Sequence, residues 1–262
     1  MEVHHHPDLH HRKKHWKEYF LEFLMIFLAV TMGFFAENIR ENFIENKREG
    51  HIIELFKKDL TNDTAQLNHL ITEYVPLQNA WMDSSFNYLS SQEIKGNERK
   101  IAVSLFNATV WNIYSPPDMA ITELKTSDNF NLIKNEKVKI AILEYGGGIN
   151  RFKDHSGIMT NARHAVDTGV AAFFRMKDIN QMLNTAYVKL EKGSNERLDE
   201  NDIPVNLTFK TYDRNSFISL SNRFGQINYL ENDMLGQYRR LYKADVKLLK
   251  ILEEEYPKIK TE

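Results

Sequence analysis

One apolar stretch near the amino end constrains this chain more than any other part of its sequence. Between Phe20 and Ala36 the only formally charged residue is Glu22, which leaves an apolar run of about 17 residues. A helix of this length is at the short end of what crosses the hydrocarbon core of a bilayer. We therefore expect residues 19–36 to form a transmembrane anchor.

Aromatic residues lie at both ends of this run. Trp16 and Tyr19 precede it, and Phe34 and Phe35 close it, as is typical of rings at the two membrane interfaces. Glu22 falls within one turn of the start, where its carboxylate can reach lipid head groups or bind a proton. Pairing of Glu22 with a partner helix is the alternative. These five residues are the predicted membrane-contacting set.

The distribution of basic residues predicts the orientation of the anchor. Four of them lie just before it, namely Arg12, Lys13, Lys14 and Lys17. The exit side begins with Glu37 and carries mixed charges. Because positively charged flanks stay in the cytoplasm, residues 1–18 are expected to be a cytoplasmic tail and residues 37–262 a periplasmic domain at the inner membrane.

A cleaved signal peptide and a buried core helix are the two alternatives to an anchor. After the run, Gly33 to Ala36 presents phenylalanines where a signal peptidase needs small residues, and the apolar run continues into a helical pattern without a break. A core helix would need a partner surface on every side of Leu21 to Phe35. The sequence therefore favours the uncleaved anchor.

Helical spacing continues beyond the anchor. The apolar positions step mostly by three, four or seven residues, and they are Ile39, Phe43, Ile53, Phe56, Leu60, Leu67, Ile71 and Tyr74. No proline interrupts this stretch until Pro76. The spacing predicts that the anchor helix runs on for about 39 further residues, or roughly 58 Å.

A second long amphipathic helix is predicted at the carboxyl end. It begins after the capping residues Asp213 to Ser216 and stops at Pro257, so its length is about 40 residues, or roughly 60 Å. Two helices of similar length are expected to pack antiparallel. The predicted fold is all-α: an N-terminal transmembrane helix that continues into a long-helix periplasmic bundle with an antiparallel C-terminal helix.

Further helices are predicted between these two. The expected segments are 78–90, 98–113, a helix starting at Pro116, 136–145 after an Asn135 cap, and a third long helix at 158–190. Residues 191–215 look like a polar loop, where Val205, Leu207 and Phe209 alternate in a way that allows one short strand. No internal linker divides residues 37–262 into two domains.

Composition excludes several classes of function. The chain has 262 residues, a net charge of −2 and no cysteine. This length is ample for one globular domain, and the near-neutral charge gives no reason to expect a nucleic-acid partner. The lack of cysteine removes disulfides, thiolate metal sites and cysteine nucleophiles.

Histidines near the amino end are the only candidate metal ligands. They are His4, His5, His6, His10 and His11, and imidazoles bind zinc, copper and nickel. The tail is polar, lacks a supporting shell and adjoins a cationic run that repels metal. A solvated tail is favoured, so no metal or other cofactor is expected.

Other motifs give little support for catalysis. The run Gly146 to Gly148 lacks the Gly-Lys-Ser/Thr ending of a phosphate-binding loop, and a helix break or a close helix approach is the favoured interpretation. His155 and His164 could converge with Asp154 or Asp167. Hydrolase and metalloprotease motifs are absent from the sequence, and the chain is not expected to be an enzyme.

Three stretches carry a family likeness. They read KKHWKEYFLEFLMIFLAVTMGFFAENIREN from Lys13, ELFKKDLTNDTAQL from Glu54 and ELKTSDNFNLIKN from Glu123. Together they resemble a group of uncharacterised single-pass inner-membrane proteins of Bacteroidota. The resemblance covers roughly the first half of the chain, implies an uncleaved anchor with an exported helical domain, and transfers no catalytic residue.

The expected function is therefore that of a membrane-anchored scaffold or accessory subunit. Its partners would be the lipid bilayer together with another protein or further copies of the chain. The alternative is a periplasmic ligand-sensing module that acts through a partner. A membrane-tethered hydrolase, the third interpretation, has no support in the sequence.

Overall fold

The computed structural model describes residues 16–91, 93–117, 119–126, 128–192 and 197–259. Seven α-helices occur there: α1 Trp16–His69, α2 Val75–Ser90, α3 Glu98–Ala108, α4 Met119–Thr126, α5 Glu136–Phe173, α6 Met176–Glu191 and α7 Arg214–Glu255. A π-helical turn at Leu70–Tyr74 and 3₁₀ turns at Asp128–Leu132 and Glu200–Asp202 complete the elements. No strand is found within these ranges, so the predicted all-α class is confirmed.

The chain divides into two compact units, and the boundary between them in the sequence lies between His51 and Ile52. The described part of the first unit is the amino-terminal portion of α1, and it contains no buried apolar side chain. The second unit holds the remaining helices around one hydrophobic core that extends in sequence from Ile52 to Leu252. Burial of that core is the main source of stability of the second unit.

α1 is uninterrupted, as predicted, but the chain does not leave the helix at Pro76. Val75 donates its N–H to the carbonyl of Leu70, five residues back, and both Tyr74 and Val75 keep right-handed helical backbone angles. This wider π turn places Pro76 in the first turn of α2, where a missing N–H does no harm. The helical path therefore continues to Ser90.

α7 runs antiparallel to α1 and α2 within the second unit. Lys57 Nζ donates to the carbonyls of Tyr256 at 2.8 Å and Ile259 at 2.7 Å. Further along, Asn228 Nδ2 donates to Asp83 Oδ1 at 3.1 Å. Residue numbers fall along α7 as they rise along α1 and α2, so the predicted antiparallel arrangement is confirmed.

Lys57 also binds backbone carbonyls at the carboxyl end of α7. The last carbonyls of a helix lack intrahelical partners and carry partial negative charge. The ammonium group of Lys57 binds two carbonyls just beyond α7, and its burial lowers the pKa of Lys57 below its usual value. A cation from α1 thus holds the end of α7 in place.

Both predicted helix caps are present. The Asn135 side chain accepts from the N–H groups of Lys137 at 3.0 Å and Val138 at 3.2 Å. Asp213 accepts from the N–H of Ser216 at 2.9 Å. Such caps satisfy donors that the first helical turn leaves unpaired, and they fix the starts of α5 and α7.

The glycine run does not end a helix, so the predicted break there is wrong. Gly146 to Gly148 lie inside α5, which packs along much of α7. A Cβ at Gly146 would lie 3.5 Å from Ile121 Cδ1, which is an ordinary contact distance. Packing against α7 thus outweighs the helix-weakening effect of about 1 kcal/mol per glycine.

We expect Gly147→Ala to raise the free energy of unfolding by about 0.5–1 kcal/mol. An added Cβ would meet only Arg151 Nη1, at 3.6 Å. Gly169→Ala is the contrasting variant, because its Cβ would lie 2.9 Å from Cδ1 of the buried Leu220. Urea unfolding of the full chain in mild detergent measures both. Equal stabilisation by the two variants would contradict this reasoning.

The predicted long helix at 158–190 is two helices. Phe174 has an extended backbone, with φ −105° and ψ 149°, and separates α5 from α6. Its ring is buried against Phe209, with centroids 5.4 Å apart. Aromatic packing therefore decides where α5 ends.

The alternating residues of the 191–215 region do not form a strand. Leu207 and Phe209 are buried, whereas Val205 is 80% exposed. Phe209 packs against Phe173 and Phe217, with ring centroids 6.2 Å and 5.8 Å away. The alternation thus reflects a loop that inserts two side chains into the core.

α3 is shorter than predicted and ends at Ala108 instead of residue 113. The following residues 109–117, here called the crossing segment, have no regular secondary structure. Trp111 and Tyr114 lie in this segment, and Tyr114 is buried. The backbone groups of a buried irregular segment need partners from elsewhere in the fold.

Candidate functional site

The amino-terminal part of α1 exposes nearly all of its apolar side chains. Trp16 is 82% exposed and Tyr19 58%, while Phe34 and Phe35 are 74% and 65% exposed. Glu22 is also exposed on α1. The rise from Trp16 to Phe34 along the helix is about 27 Å, close to the thickness of a bilayer core. Within the described residues, this helix alone is long and apolar enough to cross a membrane.

Polar groups near this apolar stretch are satisfied within the helix. Thr31 Oγ1 donates to the carbonyl of Phe27 at 2.7 Å. Beyond the stretch, Arg40 forms an ion pair with Glu37 one turn earlier. The transition from apolar to charged side chains therefore falls near Glu37, where the sequence predicted the end of the anchor.

The candidate metal ligands His4, His5, His6, His10 and His11 lie outside the described residues. Among the residues that are described, no group of three or more histidine and acidic side chains could hold a metal ion.

The two histidines of α5 act on different acids, His155 on Asp233 and His164 on Asp167. His155 Nδ1 lies 2.7 Å from Asp233 Oδ2 of α7 instead of pairing with Asp154. Asp167 accepts from Trp111 Nε1 at 2.8 Å. Burial raises the pKa of Asp167, against the effects of Trp111 and His164. These contacts join α5 to α7 and to the crossing segment.

Tyr74 anchors the backbone of the crossing segment. Its hydroxyl donates to the carbonyl of Val110 at 3.1 Å and accepts from the N–H of Asn112 at 2.7 Å. Tyr74 is the last residue of the π turn. A π turn contains one residue more than an α-helical turn. Here the turn ends at Tyr74, whose side chain holds the crossing segment.

A buried ion pair lies beneath the same segment. Arg163 Nη2 donates to Glu231 Oε1 at 2.6 Å, and Glu231 is fully buried. Arg163 also donates to the carbonyl of Asn112 at 3.1 Å and stacks over Trp111, with its guanidinium carbon 5.1 Å from the ring centroid. This pair connects α5, α7 and the crossing segment.

Two further acids meet in the core. Asp63 of α1 and Asp245 of α7 are both fully buried and interact electrostatically, and both carboxyl oxygens of Asp245 have no hydrogen-bond partner among the described residues. Tyr114 of the crossing segment donates to Asp63 Oδ1 at 2.6 Å. Burial raises the pKa of Asp63, and burial together with the Asp63 carboxyl raises the pKa of Asp245 to about 9.

Aromatic rings connect the acid pair with the ion pair. Tyr114 packs edge-on against Tyr238 and Phe152, at centroid distances of 5.6 Å and 5.1 Å. Arg163 in turn acts electrostatically on Tyr238. Burial raises the pKa of Tyr238 to about 12, so its hydroxyl stays protonated at neutral pH. A continuous set of polar and aromatic groups thus runs through the bundle core.

These buried charged groups were not predicted from the sequence, although a signal was present. Asp63 lies between Leu60 and Leu67 at stripe spacing, and Asp245 lies in the same way between Leu241 and Leu248. An acid at a core-facing position of an apolar stripe indicates a buried polar contact. Its partner, however, comes from a distant part of the chain.

Clefts open on the surface of the second unit, and two of them are of similar size. One, of about 470 Å³, lies beside the glycine run and is lined by apolar residues including Ile121, Leu124, Phe130 and Ile142. The other, of about 550 Å³, lies between α6 and the end of α3. Their size is within the range of small-molecule sites.

Comparisons with known proteins give no relative. No family model matches the chain, and no curated protein and no solved structure matches it either. The resemblance to the Bacteroidota membrane proteins remains a prediction from the quoted stretches.

Proposed function

We propose that this protein is a non-enzymatic, single-pass inner-membrane protein whose helical unit acts as a scaffold or as an accessory subunit of a membrane complex. The observation that carries the proposal is α1, a single helix of 54 residues. Its first part has the length and composition of a membrane span, and its last part contributes buried residues to the core of the second unit. α1 therefore supplies both the candidate membrane span and part of the core of the second unit.

The proposed topology places residues 1–18 in the cytoplasm and residues 37–262 in the periplasm. The basic residues before the apolar stretch support this orientation. Mass spectrometry of the mature protein tests the signal-peptide alternative to this topology. A peptide that spans Phe34 to Glu37 is expected, because an uncleaved anchor keeps this junction intact.

Exposed apolar residues support lateral association. Ile39 and Phe43, one turn apart on α1 and beyond the predicted anchor, are 70% and 71% exposed. Within the anchor, Ala29 and Gly33 are small enough for another helix to approach closely, and a Cβ at Gly33 would meet nothing within 4 Å. A homo-oligomer or a hetero-complex in the membrane would cover these side chains.

Purification from native membranes in mild detergent is the experiment that tests this role. We expect either a stoichiometric protein partner or a homo-oligomer. The chain has no native cysteine, so Ile39→Cys adds a single thiol for oxidative crosslinking of copies. Tyr229→Cys on α7, 75% exposed, is the control for random collision. A monomer that elutes with no partner and gives no crosslink would contradict the scaffold proposal.

The second candidate function is a ligand-sensing module, favoured by the apolar cleft beside the glycine run. A bound small molecule would stabilise the folded chain by mass action. Thermal-shift screening of the full chain separates the two functions. A saturable rise in Tm that Leu143→Asp abolishes would support sensing, because Leu143 lines this cleft.

A further inference from the structure

The contact between Asp63 and Asp245 joins helices that lie far apart in the chain. Asp63 lies in α1 and Asp245 near the end of α7, and neither side chain is accessible to solvent. Tyr114 donates a hydrogen bond to Asp63 Oδ1, whereas Asp63 Oδ2 and both carboxyl oxygens of Asp245 have no hydrogen-bond partner in the described part of the chain, and the two carboxyl groups interact electrostatically. Two ionised carboxylates cannot hydrogen-bond to each other, since each is only an acceptor. A proton on the pair would remove one of the two buried charges and would supply a donor to oxygens that otherwise have none.

Among the described residues, no cation acts on the Asp63 and Asp245 carboxyl groups. Asp59 faces Asp63 from one turn earlier in α1, Tyr114 contacts Asp63 from the crossing segment, and Tyr145 of α5 lies near Tyr114. None of these groups carries positive charge. Two buried negative charges without a cation would repel each other in a medium of low polarity.

We propose that one proton bridges Asp63 and Asp245 and acts as a pH-dependent clasp between α1 and α7. The proton moves onto the pair when the bundle closes and leaves it to solvent when the end of α7 separates from α1. This proposal concerns the second unit alone and does not depend on the membrane role.

The sign of the pH dependence follows from the raised pKa. In the unfolded chain an aspartic acid loses its proton near pH 3.9, whereas Asp245 in the folded chain keeps it up to a pKa of about 9. Between these values the folded state holds one proton more than the unfolded state. Stability should therefore be greatest at acidic pH and fall as pH rises, by about tenfold in the unfolding constant per pH unit.

Other acids contribute in the opposite direction. The pKa of Asp213 is lowered by hydrogen bonds from Ser216, and the pKa of Glu255 by hydrogen bonds from Lys137 and Asn135. These groups stabilise the folded state at higher pH and lose this effect in acid. The clasp is thus visible as the difference between the wild type and a variant that lacks the titrating carboxyl.

The experiment measures the urea midpoint of the full chain in mild detergent between pH 5 and pH 9. Asp245→Asn keeps a donor for Asp63 but cannot ionise, so its stability should fall less steeply with pH, by about one proton. Asp83→Asn is the matched control, because Asp83 also hydrogen-bonds across to α7 but is exposed. Its pH profile should run parallel to the wild type.

Infrared spectroscopy supplies a second readout that does not need the variant to be stable. The wild type at neutral pH should show the C=O stretch of a protonated carboxylic acid, and this band should disappear above pH 9. Three results would overturn the proposal: no such band, equal pH slopes for the wild type and Asp245→Asn, or a slope that depends on the metal ion present instead of on the proton.

Discussion

Leu28→Arg combined with Thr31→Arg is expected to remove the protein from the membrane fraction. Both residues lie near the middle of the apolar stretch of α1. An arginine at the centre of a membrane helix costs about 2.5–3.5 kcal/mol on insertion scales, so two together oppose insertion by roughly 5–7 kcal/mol. Fractionation followed by alkaline extraction of the membranes measures the result.

A matched variant distinguishes the anchor from a general effect of charge. Ile39 and Phe43 are at least as exposed as the central residues and lie on the same helix. Ile39→Arg with Phe43→Arg adds the same charge outside residues 19–36, and this protein should stay in the membrane fraction. Retention of the Leu28 and Thr31 variant, or a soluble wild type, would contradict the proposed anchor.

The largest effect on stability is expected from Arg163→Met. This change leaves the fully buried Glu231 without its cation and removes the guanidinium donor from the Asn112 carbonyl. Breaking a buried pair by removing one partner lowers the free energy of unfolding by about 3–5 kcal/mol. Urea unfolding of the full chain measures this loss.

Two further variants show whether the loss comes from the uncompensated charge. Arg163→Met with Glu231→Leu removes both charges and should recover much of the lost stability, because an apolar pair of similar volume is often neutral. Lys247→Met breaks an exposed pair with Glu144 between the same two helices, and its effect should stay below about 1 kcal/mol. Equal losses from Arg163→Met and Lys247→Met would refute the argument.

The helix starts illustrate what could be predicted from local sequence. Asn135 and Asp213 were recognised as caps because a cap acts on N–H groups two or three residues later. The length of α7 followed from the spacing of apolar residues and from Pro257. Caps and helix length depend on neighbours in the chain, so the sequence alone was sufficient for them, whereas antiparallel packing was expected from the similar lengths of the two helices.

Other elements could not be predicted in this way. Local rules end a helix at Pro76 and at the glycine run, but both lie within helices because a π turn and the surface of α7 accommodate them. Conversely, α5 ends at Phe174, where no local breaker occurs. Packing against Phe209 decides this position.

The candidate functional residues also fall into two groups, those that could be predicted from the sequence and those that depend on tertiary packing. The sequence by itself determined the apolar stretch of α1, its flanking aromatic residues and the helical class, because hydrophobic length and period are properties of consecutive residues. Only the tertiary structure paired Asp63 with Asp245 and Arg163 with Glu231, residues that are 68 or more positions apart. Whether a buried charge finds a partner depends on how distant helices pack, and that is fixed only when the core forms.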